Sequence, residues 1–106
     1  MAFQVEITDQ ALLDAEEYVR FIREVKKEPD AVSRWFRGLV QAIYSLETSP
    51  VRCPIIPEQD EFRSEVRHLL YFSHRIIFHV DRKQRRVIIY RIYHGSRRAL
   101  AEDDLP

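Results

Sequence analysis

Three β-rich runs, Val66–Phe72, Arg75–Val80 and Val87–His94, follow one another with only the short turns Ser73-His74 and Asp81–Arg85 between them. Parallel strands need a crossover of about a dozen residues or more, and these connections leave no room for one. The end of the chain is therefore predicted to be an antiparallel meander. In its middle run, period-two alternation sends Ile76, Phe78 and Val80 to one face and Arg75, Ile77 and His79 to the other.

The start of the chain follows another rhythm. Phe3, Val5 and Ile7 alternate with Gln4 and Glu6, a short strand, and Thr8-Asp9 offers an oxygen to cap a helix. Leu12, Ala15, Tyr18/Val19, Ile22 and Val25 then recur at helical spacing, and Lys26-Lys27 complement the dipole of the last turn. Pro29 stops this helix and opens a second one. That helix is patterned by Val32, Trp35/Phe36, Leu39/Val40, Ile43 and Leu46, and ends before Thr48-Ser49-Pro50. Gly38 inside it implies close packing, because glycine costs a helix interior about 1 kcal/mol. Residues 50–61 form a proline-punctuated loop. The expectation is one α+β domain over residues 1–106, in the order β-α-α-β-β-β, with an antiparallel sheet packed on an N-terminal helical hairpin.

Composition removes several functions. Two glycines leave no phosphate-binding or dinucleotide-binding turn, and one cysteine, Cys53, forms no internal disulfide. The first residues carry no basic and apolar leader, and no apolar run approaches the roughly 20 residues that cross a bilayer. A soluble, reducing, cytoplasmic setting is expected, with no membrane partner. His68, His74 and His79 with Cys53 do not reproduce a zinc-ligand spacing, so neither metal nor cofactor is expected. The formal net charge is zero, yet residues 62–98 hold ten Lys/Arg and two acids, a net of +8, and the rest carries −8. A basic block of this kind suits a polyanion or an acidic protein partner.

Several residues in this order resemble the RelE/ParE superfamily, the toxins of type II toxin–antitoxin pairs, often described as plasmid stabilisation proteins. They are Phe3–Ile7, Ala11-Leu12-Leu13-Asp14-Ala15-Glu16-Glu17-Tyr18, Leu46-Glu47-Thr48-Ser49-Pro50, Val66-Arg67-His68-Leu69-Leu70-Tyr71, His74-Arg75-Ile76-Ile77-Phe78, and Val87-Ile88-Ile89 leading to His94-Gly95-Ser96-Arg97-Arg98. The resemblance implies a growth-inhibiting toxin held inactive by a cognate antitoxin. That antitoxin would cross the sheet and the groove beside the helical hairpin, and be acidic where it meets Arg75, Arg91 and Arg97. RelE-like members cut messenger RNA on the ribosome; ParE-like members act on DNA gyrase and need no nuclease site.

A metal-independent ribonuclease requires a base, an acid and cations that stabilise the phosphorane. The resemblance makes Arg75 the phosphate contact and His94 the acid or base; Glu65 and Glu61 are candidate carboxylate partners, with neither choice forced. Arg67, Arg91, Arg97 and Arg98 would hold target or RNA. The alternative readings are a solvated or paired Arg75 and a His94 that only caps its strand. Two departures from the family pattern favour a ParE-like or otherwise divergent member over the RelE-like nuclease. Ser73-His74 stands where many members have Gly-Tyr or Lys-Tyr. Glu58, Asp60 and Glu61 stand where ribosome-cutting members carry lysines. A basic binding module without toxicity is the third reading.

Overall fold

A computed structural model describes residues 2–106. The elements are β1 (Gln4–Ile7), α1 (Asp9–Phe21), α2 (Pro29–Tyr44), β2 (Val66–Tyr71), β3 (His74–Asp81) and β4 (Arg86–His94). Thr8 caps α1 by accepting the Ala11 N–H at 3.2 Å, while its hydroxyl donates to the Ile89 carbonyl at 2.9 Å. One threonine thus starts the helix and ties it to β4. Past Phe21 the helix loosens into a π turn, Ile22–Lys26, and Lys27 closes it in the left-handed region at φ 54°. Pro29 opens α2 as its first residue, where its missing N–H costs nothing.

The four strands form one sheet in the order β1-β4-β3-β2. β2, β3 and β4 are antiparallel as expected, but β1 pairs parallel to β4, from Gln4–Arg86 to Ile7–Ile89. The sheet is therefore mixed rather than wholly antiparallel. Short turns dictate the direction of consecutive strands only; β1 and β4 are separated by both helices and two strands, so either direction was sterically open.

Two apolar layers flank the sheet. On one side Ile76, Phe78, Val87 and Ile89 pack against Ala11, Ala15, Trp35, Leu39 and Ile43 of the helices. On the other, Ile77 and Tyr93 are buried with Ile56, Val66, Leu100 and Leu105. This second layer exists because the 50–61 loop and the C-terminal segment fold over the face that the helices leave open. The loop is stitched to the β2 edge by Ile56 N–H to Val66 O (3.0 Å) and His68 N–H to Pro54 O (3.1 Å). Among the described residues no helix is long and apolar enough to cross a membrane.

Between the Ile77–Arg91 and Phe78–Ile89 pairs, β4 carries one extra residue. Such a bulge re-aims the side chains that follow it. Here Ile92 joins the helix-side core, and the Arg91 guanidinium meets Asp14 of α1.

Candidate functional site

His74, at the start of β3, and His94, at the end of β4, are direct cross-strand partners, their rings edge to face 4.8 Å apart. Alternation directs both to the helix side, where Tyr18 of α1 lies 4.3 Å and Trp35 of α2 5.4 Å from the His74 ring. Burial, helped by the neighbouring His94, holds the His74 imidazole down to about 4, so it is neutral at physiological pH. His94 sits at the mouth of this cluster. The Ser96 N–H donates to its Nδ1 at 3.0 Å, and the Ser96 hydroxyl lies 2.6 Å from the same nitrogen. A backbone N–H is always a donor, so neutral His94 carries its proton on Nε2. The turn can close because Gly95 brings its N–H to within 2.7 Å of the Ser73 carbonyl, where a side chain would crowd that oxygen. The resulting hollow is about 310 Å³ and is bounded by Tyr18, Phe21, His74, His94 and Arg97.

Arg75 follows His74 and therefore points to the opposite face. There it grips Glu58 through both terminal nitrogens, at 2.7 and 2.8 Å, and its Nε–H donates to His68 Nδ1 at 3.0 Å. Glu58 accepts a further bond from the Leu100 N–H at 2.9 Å. The Arg75 hydrogen bond pulls the Glu58 carboxyl down to about 2, and burial together with Arg75 lowers His68. Each of the three guanidinium nitrogens thus has a partner within the fold. Arg75 and His94, paired in the sequence reading as one nuclease centre, lie on opposite faces of the sheet.

The remaining candidates have mostly structural partners. Arg67 bonds Glu65 and the Cys53 carbonyl (2.6 Å), which fastens the loop to β2. Arg91 is buried, bidentate on Asp14 at 2.8 and 3.0 Å, and its third nitrogen reaches the Asp104 carbonyl. Arg98 pairs with Asp104. Arg97 is exposed and stands 5.0 Å over the Tyr93 ring. Glu65 is engaged by Arg67 and Arg82, and Glu61 is exposed on the short helical turn Gln59–Glu61. Cys53 is buried, which pushes its thiol up and makes it a poor nucleophile. Four ion pairs join the two opposed charge blocks: Glu6–Arg86, Asp14–Arg91, Glu58–Arg75 and Asp104–Arg98.

Residues 5–99 match the family described as the ParE toxin of the type II toxin–antitoxin system parDE. The chain belongs to the ParE toxin family. Solved structures with the same fold include the toxin–antitoxin complex RelBE2 of Mycobacterium tuberculosis, at 18% identity and TM-score 0.59, covering 89% of this chain and 99% of that one. The archaeal RelE–RelB complex of Pyrococcus horikoshii OT3 aligns at 19% identity and TM-score 0.54, over 92% and 100% of the two chains. No curated protein sequence matches. For this ParE-family chain, the RelE/ParE resemblance read from the sequence is confirmed at the level of family and fold. Sequence reading missed the partnership of His74 with Tyr18 and Trp35. It assigned His74 to a turn, whereas the strand begins at His74 and its register with His94 is what assembles the cluster.

Proposed function

We propose that this protein is a growth-inhibiting toxin of the ParE type that acts on DNA gyrase in the cytoplasm, and that a small cognate antitoxin holds it inactive. The observation that carries the reading is the separation of Arg75 from His94 by the thickness of the sheet, with Arg75 bound to Glu58 and His68. A concerted attack on an RNA phosphodiester requires the acid–base group and the charge-stabilising cation around one phosphorus. An inhibitor that binds its target has no such requirement.

An antitoxin partner is supported by the solved relatives, both of which are toxin–antitoxin complexes. The surface that suits it best is the outer groove between α1 and α2, about 880 Å³, where Leu12, Val19, Val32, Phe36 and Val40 form an apolar floor under Arg20, Arg23 and Arg37. An amphipathic, acidic helix fits this combination. Of the three arginines first expected to meet the antitoxin, Arg75 and Arg91 are already paired inside the fold, and Arg97 remains available.

Induced expression with and without the adjacent small reading frame, followed by supercoiling assays with purified gyrase and mapping of RNA ends, tests the proposal. Growth arrest relieved by co-expression, with lost supercoiling and intact transcripts, is expected. Transcripts cut on the ribosome would replace this reading with the RelE-like nuclease. Unimpaired growth would leave a basic binding module without toxicity.

A further inference from the structure

The β2–β3 turn carries a feature that neither the gyrase reading nor the antitoxin groove uses. Phe72 sits at φ 49°, in the left-handed region; the residue is 85% exposed and its ring stands edge-on to Tyr71 at 4.9 Å. Bulky side chains rarely adopt this backbone conformation, and glycine or asparagine would hold the turn at lower cost. A strained turn that presents an aromatic ring to water gains nothing for the fold itself.

Beside Phe72 runs a trough of about 770 Å³ between the hairpin tip and the end of the helical pair. Its apolar wall is Tyr18, Ile22 and Trp35; Lys26 and Arg34 stand on its rim with one acid, Glu28. Neither Lys26 nor Arg34 is in an ion pair among the described residues. Two unpaired cations call for carboxylates, while Phe72 and Ile22 call for an apolar side chain.

We propose that this trough is the toxin's target-gripping surface and takes an acidic segment with an apolar anchor from the protein that the toxin inhibits. The inference rests on the toxin reading above and adds to it the place of contact. The trough shares no lining residue with the outer α1–α2 groove assigned to the antitoxin. A target surface formed wholly by the toxin's own side chains is complete once the antitoxin leaves.

The test uses the full chain, expressed alone and beside its antitoxin, as wild type, Phe72→Asn and the double variant K26E/R34E. Asparagine tolerates the left-handed region, so Phe72→Asn keeps the turn while removing the ring; the charge reversal lies on the surface and provides a second route if the first variant misfolds. The dose of toxin needed for growth arrest and for gyrase inhibition rises about tenfold or more in both variants, as loss of an aromatic or charged anchor does at other interfaces. Co-purification with antitoxin stays unchanged. Variants as toxic as wild type overturn the inference, and so does a parallel loss of antitoxin binding, which would assign the trough to the antitoxin. A concentration-dependent dimer abolished by Phe72→Asn, with toxicity intact, would assign it to a second copy and also overturn it. A wild-type chain that leaves growth untouched removes the toxin reading and this inference with it, whereas a toxic wild type with toxic variants removes the inference alone.

Discussion

Arg75 and Glu58 form a two-pronged ion pair beneath the C-terminal segment, with 15% and 10% of their side chains exposed. The pair holds together three parts of the chain, because Glu58 comes from the loop, Arg75 from β3, and the Leu100 N–H shares the carboxylate. Removing one partner strands the other charge in a poorly solvated site.

Arg75→Ala is therefore expected to lower stability by about 3–5 kcal/mol, the usual cost of breaking a buried pair. Glu58→Gln should also destabilise, and the double variant should cost less than the sum of the two. Urea unfolding of the three variants measures this. A nuclease residue would instead lose activity with the unfolding midpoint unchanged.

Acid sensitivity should begin near neutrality. His74 is held neutral, with its value near 4 against an ordinary 6.5, by burial and by His94, with Asp14 opposing. In the window between those values the unfolded chain binds a proton that the folded one refuses. Stability is therefore full above about 6.5 and falls as pH drops towards 4, by on the order of 3 kcal/mol. Glu58 adds a second loss at lower pH, as its carboxylate, ionised down to about 2 when folded, is protonated in the unfolded chain from about 4.5 downward. Unfolding free energies at pH 7, 5.5 and 4.5 give the first slope, which His74→Phe should flatten.

Gly38→Ala should destabilise despite the better helix propensity of alanine. An added Cβ would land on the Tyr71 hydroxyl, which donates to the Trp35 carbonyl at 2.8 Å. Alanine gains about 1 kcal/mol in the helix, but overpacking costs about 1–3 kcal/mol and the displaced hydrogen bond about 1 kcal/mol more. Thermal melts should place Gly38→Ala below wild type, with partial recovery when Tyr71→Phe is added.

Leu100→Ala and Leu105→Ala should each cost about 2–4 kcal/mol, since both side chains are buried over Ile77 and Tyr93. Hydrogen exchange should then quicken at the Leu100 amide, whose acceptor is Glu58. Unchanged protection there would mean that the C-terminal segment is not held by this layer.

Sequence patterning disclosed the helices, the meander and the core face of β3, because periodicity reports which side of an element is buried. It also pointed to close packing at Gly38. It did not disclose the direction of β1, which no turn constrains. The second apolar layer was equally hidden, since Ile77 reads as an exposed alternate until Leu100 and Leu105 are seen to cover it. The basic candidates failed to form one site for a related reason. Counting charges along the chain locates Arg75, Arg91 and Arg98, but their acids, Glu58, Asp14 and Asp104, are found only in three dimensions.

The parallel pairing of β1 with β4 has a consequence for synthesis. Gln4 waits for Arg86 and Ile7 for Ile89, while Thr8 caps α1 with its own hydroxyl committed to Ile89. Contacts so distant along the chain form late and slowly. The helical pair can gather before the sheet exists and meet Ile76 and Phe78 of β3, but Val87, Ile89 and Ile92 complete its apolar bed only when β4 emerges from the ribosome. An unfinished chain thus lacks its completed sheet, and the toxin's fold is not closed until β4 has appeared.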